Sequence, residues 1–274
     1  MKKSTKTQLL IATISVAVGL AIIIITSLVF GMNEFKDISV GIIGGADGPT
    51  EVYVTDSLLF AENDIKNIEI DIDVSELRIT TGDEIGFSAT NSNKSQLICE
   101  LDTDGTLKIY DKRQKKWFAF GGFSDLNDDI PVGILTLPKT FALHKLDIDC
   151  DVGFVKIEDI SLDVRELDVD VDVGTVELSN IKSSKSDIDV DVGDITIEGE
   201  LLGKNDFDCS IGSITVTSKG NISDYSFNTK ASVGTITVNG KSTSGLAQHS
   251  SEVKKENHFD LNCDIGDIIV TIGE

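Results

Sequence analysis

One short phrase recurs down the C-terminal half of this 274-residue chain. It reads DVGFVKI at 151–157, DVGTVEL at 172–178, DVGDITI at 191–197, SIGSITV at 210–216, SVGTITV at 232–238 and DIGDIIV at 264–270. Its glycines, Gly153, Gly174, Gly193, Gly212, Gly234 and Gly266, lie 21, 19, 19, 22 and 32 residues apart, and the last interval carries an insertion. A fixed period of this size is the mark of stacked supersecondary units. Each unit is a strand of alternating apolar and polar residues, a glycine, and a second alternating strand. Such a unit buries its apolar side only when neighbours stack on it. The expected fold is all-β, a single-stack, β-helix-like β-solenoid of about 20 residues per coil.

The alternation assigns the faces. Before the glycine, Leu167, Val169, Val171 and Val173 share one parity; after it, Val176 and Leu178 continue inward, so the glycine is read as a corner or bulge that resets the register. Leu146, Ile148, Cys150, Val152 and Phe259, Leu261, Cys263, Ile265 follow the same rule. A degenerate copy, Ile68, Ile70, Ile72, Val74 with Ser75 and then Leu77, Ile79, starts the stack near residue 65. Cys99, Cys150, Cys209 and Cys263 form no short-spaced pair. With coils counted in chain order, Cys150 and Cys209 are too far apart for a disulfide, so the cysteines read as small buried hydrophobes. The histidines do not cluster with them, which argues against zinc.

Leu9 to Phe30 is an uncharged 22-residue stretch behind Lys2, Lys3 and Lys6. That length spans a hydrocarbon core as one helix, and the basic flank keeps the N-terminus in the cytoplasm. The exit sequence Leu28-Val29-Phe30-Gly31-Met32 lacks a small-x-small cleavage site, so the segment reads as an uncleaved single-pass anchor in the cell membrane, with the remainder extracellular. Three parts result: residues 1–31, cytoplasmic tip and anchor; 32–64, a juxtamembrane segment with a Gly-rich turn; and 65–274, the solenoid. Beyond the anchor stand all 46 acids against 21 of the 24 bases, a net charge of −25. Nucleic acid and anionic lipid both need a basic footprint, so cationic partners are favoured.

The outward positions of the pre-glycine strands are mostly aspartate: Asp147, Asp149, Asp151; Asp168, Asp170, Asp172; Asp187, Asp189, Asp191; then Asp206, Asp208 and Ser210. Stacking turns them into three acidic columns, which fade at Ser226, Asn228, Lys230 and Ser232 and partly return at Asp260 and Asp264. Two readings stand. The face is solvated and keeps a flat sheet from aggregating, or Asp149, Asp151, Asp170, Asp172, Asp189 and Asp191 form a weak Ca²⁺ or Mg²⁺ surface, because hard cations seek several carboxylate oxygens. No other cofactor is expected. A row of near-equivalent carboxylates lacks the divergent environments of a general acid and base, and no nucleophile elbow, P-loop or metal-hydrolase motif occurs, so a polysaccharide-active enzyme is the weakest reading.

Residues 97–111 read as a strand pair around an Asp-Gly turn, and 112–129, with Trp117, Phe118, Phe120 and Phe123, as a loop between coils. Lys241 to His258 reads as a flexible Ser/Lys-rich insertion. GIIGGADGPT within residues 40–54 is similar to a segment of the β subunit of sodium-translocating decarboxylases, but the rest of that family's membrane helices have no counterpart. A strand, a tight turn and a second strand is the plain reading, and an oxygen-lined cation site at Asp47 the sharper one.

The succession DGTLKI, then ILTLPKTFALHKLDIDCDVGFVKI, then repeated Gly-x-Ile-x-Ile coils resembles the bacterial DUF4097 family of adhesin-like proteins over residues 65–274. That resemblance implies a β-solenoid exposed at the cell envelope. The expected role is a non-catalytic, membrane-anchored binding or scaffold module that meets an envelope polymer or a membrane protein. The alternative is an accessory component of an envelope-stress signalling system.

Overall fold

Alternation dictates the strands, and β9 (Thr140–Cys150) shows how. Leu146, Ile148 and Cys150 are buried while Asp147 and Asp149 face outward. A corner leads to β10 (Phe154–Ile157), in which Val155 and Ile157 are buried. The chain then runs through β11 (Ser161–Lys219), 59 residues that wind through successive rungs and turn at Asn180, with φ of 57°, and Gly203, with φ of 62°. Pairing is parallel and in register: Leu167 opposes Leu146, Val169 opposes Ile148, Val171 opposes Cys150, and beyond the corner Val176 opposes Val155. On the other side of the same rung lie β3 (Asn67–Ile72) and β4 (Glu76–Thr81), with Ile68 against Leu146 and Leu77 against Val155. Like residues therefore stack on like, and the β-solenoid read from the repeat is the fold.

This computed structural model describes residues 53–54, 58–61, 65–91, 95–113, 130–251 and 253–273, all within one compact unit, Val52–Glu274. The anchor, most of the Gly-rich segment with Asp47, and the aromatic loop lie outside the described residues. Among the described residues no helix is long and apolar enough to cross a membrane.

The structure corrects the inward register around the glycine. Val152 and Val173 are only half-buried, whereas Gly153 and Gly174 are buried. The slip falls one step earlier than the alternation suggests, across Asp172-Val173, and the glycine itself takes the inward position. Its missing side chain is required there. A Cβ on Gly174 would stand 2.7 Å from the Gly153 carbonyl oxygen, and Cβ atoms on Gly193, Gly212 and Gly266 would approach the glycine of the next rung closer still. The glycines form a ladder of backbone-to-backbone contacts that no other residue fits.

Chain order and spatial order part at both ends of the stack. The last strand, β16 (Asn257–Gly273), pairs with the end of β11 on one side, Cys209 opposite Cys263 and Gly212 opposite Gly266. On its other side it pairs with β12 (Tyr225–Ala231) and β13 (Thr235–Val238). The final phrase of the sequence is thus threaded between the fourth and the fifth. Phe259 packs accordingly, edge-on to Phe207 and stacked on Phe227, each at 5.5 Å between ring centroids. At the opposite end β7 (Thr106–Arg113) and β8 (Val132–Leu137) lie outside β3 and β4, so the first rung is also an inner one.

Antiparallel strands cover both terminal rungs. β5 (Ile85–Asn91) lies against β8 and also pairs with the short strands β1 (Tyr53–Val54) and β2 (Leu58–Phe60), and β6 (Ser95–Leu101) lies against β7, the latter pair joined at a turn where Gly105 has φ of 89°. At the other end β14 (Lys241–Ser244) pairs with β13 and β15 (Ala247–Ser250) with β12. The stretch expected to be a flexible insertion is therefore mostly strand. β14 and β15 are polar and exposed, and such strands blunt the open edge that a parallel stack would present.

Candidate functional site: the carboxylate columns

The in-register stacking places the outward aspartates above one another. Asp168 opposes Asp147 and Asp170 opposes Asp149, and the columns extend a rung further than expected, because Glu69 opposes Asp147 and Asp71 opposes Asp149. The signal for these residues was present in the alternation of Ile68, Ile70 and Ile72. Threading of β16 explains why the columns fade and return. Asp260 continues directly from Asp206, whereas Asn228 and Lys230 belong to the terminal rung beyond it.

Lysines relieve much of the first column, two residues upstream at Lys145 and Lys204 and directly opposite Glu69 at Lys108. Lys145 Nζ lies 2.6 Å from Asp147 and 3.0 Å from Asp168, Lys204 lies 2.9 Å from Asp206, and Lys108 lies 3.6 Å from Glu69. The second column has no such relief: among the described residues no ion pair reaches Asp149, Asp170, Asp189 or Asp208. Desolvation on the sheet surface, then the neighbouring carboxylates, holds Asp71, Asp149 and Asp170 above the usual aspartate range; desolvation raises Asp208 too, against a hydrogen bond with Asn262 that lowers it. Desolvation, then charge, takes Asp189 to about 6, with Asp208, Asp170, Asp187 and Asp191 as its charged neighbours.

The third column begins at Asp151, beside Asp73. Burial, then the charge of Asp73 and a hydrogen bond with it, raise Asp151 to about 6. Asp111 closes the end of this region, accepting hydrogen bonds from Val74 N at 3.0 Å and Ser75 Oγ at 2.6 Å.

Asp149, Asp151, Asp170, Asp172, Asp189 and Asp191 are thus brought to one face, as the sequence implies. Their arrangement is a ladder and not a cage. Among the described residues no three His, Cys, Asp or Glu side chains converge as a closed metal site requires.

A second polar cluster was not legible in the sequence. His258 is buried, its Nδ1 lies 2.7 Å from Ser226 Oγ, and its Nε2 lies 3.1 Å from Asp260 Oδ1. The residue types are those of a hydrolytic triad. Ser226, however, is fully buried, and its oxygen accepts the Lys255 backbone N–H at 2.9 Å. No substrate carbonyl reaches such a hydroxyl. The cluster ties β12 to β16, and Asn228 adds a 2.7 Å hydrogen bond to Asp260. Burial pushes Asp260 upward, but Asn228 and His258 outweigh it and hold the carboxyl below its ordinary value.

Fold and face together define a class: a β-solenoid whose most distinctive surface is a carboxylate-lined sheet. The chain belongs to the Toastrack DUF4097 family, whose model matches residues 65–218, more than half of its length. It is similar to the solved structure of a candidate cell adhesion protein from Clostridium sporogenes, at 17% identity over 79% of this chain and 98% of that one, with a TM-score of 0.43. A candidate adhesin from Bacteroides fragilis is 13% identical over 82% and 100% of the two chains, with a TM-score of 0.37. A candidate lipid-binding protein from Parabacteroides distasonis is 14% identical over 78% and 96%, with a TM-score of 0.39. No curated protein matches the chain.

Proposed function

We propose that this protein is a non-catalytic binding or scaffold module of the bacterial cell envelope, anchored by residues 9–30 and facing outward, that uses the carboxylate columns to hold a cationic partner. The observation that carries the proposal is the second column. Asp71, Asp149, Asp170, Asp189 and Asp208 follow one another from rung to rung without an ion pair among the described residues, and all five are raised. A polymer bearing amines supplies the missing counter-charges along the whole column, and each contact is worth most where repulsion is greatest. Ca²⁺ or Mg²⁺ bridging Asp149, Asp151, Asp170, Asp172, Asp189 and Asp191 would occupy the same face and compete with the polymer. Burial of Ser226, the hydroxyl nearest to a nucleophile's surroundings, supports a non-catalytic role.

The test is binding of the full chain, in detergent, to a wall polymer with free amines and to the same polymer after N-acetylation. Binding to the first, lost on acetylation and reduced by millimolar Ca²⁺, is expected. Equal binding to both polymers, or to neither, refutes the proposal.

A further inference from the structure

Threading of β16 brings together two cysteines that chain order keeps apart. Cys209 and Cys263 are direct partners on adjacent parallel strands. The two side chains are near enough for each to act on the other's thiol, and both are buried free thiols in this structure. Adjacent strands lie about 4.8 Å apart, inside the Cα separation a disulfide tolerates. Cys99 and Cys150 have no such partner among the described cysteines: Cys150 faces Ile72 on one side and Val171 on the other, and Cys99 faces Ile109.

We propose that Cys209 and Cys263 form a disulfide as the chain folds in an oxidising compartment, stapling the C-terminal strand into its place between the rungs. The third member of this column is Ala231, opposite Cys263 on β12. If β12 docked directly on the end of β11, Cys209 would meet an alanine. Only β16 presents a sulfur to it, so the covalent bond selects the threaded order over the sequential one. The bond closes a loop containing β12 to β15, the whole terminal cap.

The oxidant is a disulfide, of glutathione or of an oxidoreductase. One cysteine thiolate attacks it and expels one thiolate. The second cysteine attacks the mixed disulfide and expels the other, so two protein thiols lose two electrons, one disulfide is reduced to two thiols, and the protons pass to the departing sulfurs or to water. Burial raises Cys209 to about 12 and also raises Cys263, so thiolate is scarce once the stack has closed. Exchange therefore belongs to folding, and the finished bond resists reductant until the protein unfolds.

Formation in the cell rests on the outward placement proposed above, whereas refolding in vitro does not. The full chain, unfolded in denaturant and refolded in detergent with a glutathione redox buffer, is alkylated and mapped by mass spectrometry. The expected result is two alkylated cysteines, Cys99 and Cys150, and one linked peptide joining Cys209 to Cys263. Four alkylated cysteines, or any other pairing, overturn the proposal. The oxidised protein should melt roughly 10 °C above the same protein refolded with excess reductant. Cys209→Ala should melt at one temperature under both conditions, and an unchanged parent melting temperature would equally overturn the staple.

Discussion

Replacing Asp149, Asp170 and Asp189 together by asparagine should stabilise the protein near neutral pH, and the columns let the gain be sized. Asp71, Asp149, Asp170, Asp189 and Asp208 are successive neighbours in the second column. Asparagine at the three middle positions removes every nearest-neighbour repulsion along that run. At a separation of about 4.8 Å each repulsion is worth about 0.9 kcal/mol in bulk water. The four together come to about 3.5 kcal/mol, and physiological salt lowers this to about 2 kcal/mol. For a domain of this size that is a rise in Tm of about 4–8 °C.

The sign with pH follows from the raised carboxyls. A folded-state value near 6 for Asp189 and Asp151, against an ordinary 3.8, means the native state binds more protons than the unfolded chain between those limits. Repulsion therefore costs most above about pH 6 and lessens as pH falls through that value and Asp189 takes up its proton. Thermal melts of parent and triple variant at pH 7.5 and pH 4.5 should show the full gain at the first and a smaller one at the second. Absence of a gain at pH 7.5, or an undiminished one at pH 4.5, would refute the electrostatic reasoning.

Val171→Asp buries an unpaired carboxylate inside the stack, where Val171 is fully enclosed, and should abolish the β signal in circular dichroism. Gly193→Ala should cost about 2–4 kcal/mol in a denaturant titration, because its Cβ would collide with the Gly174 carbonyl, whereas Gly273→Ala, with open space around it, should be neutral. Millimolar Ca²⁺ should raise the parent Tm more than sodium at matched ionic strength, and less so in the triple variant; equal effects would leave screening alone.

The period of the glycines and the strict alternation of residues 146–178 were enough to read the rung, because in-register parallel stacking repeats one local rule. The same alternation marked the aspartate columns, since polar parity is the complement of apolar parity. It could not mark the exchange of order at the two ends. DIGDIIV and SVGTITV offer nearly the same inward pattern, so either could adjoin the fourth rung by local preference alone. What decides is long-range: Phe259 seated between Phe207 and Phe227, and the polar cluster of His258, Ser226 and Asp260. The inward turn of Gly153 and Gly174 was hidden for a different reason. A residue without a side chain carries no polarity, so its face shows only when the backbone of the next rung is seen against it.

Whether the columns are the binding surface is tested most directly by comparing two charge-matched variants. Asp149→Asn, Asp170→Asn and Asp189→Asn neutralise the column, while Glu177→Gln, Glu198→Gln and Asp267→Asn remove the same formal charge from the strands beyond the glycine. Affinity of each full-length protein for the amine-bearing wall polymer is measured at physiological salt. The column variant should bind about tenfold more weakly or worse, the loss of three charge contacts, and the control should bind like the parent. Equal weakening of both would show that net charge, and not this face, holds the partner.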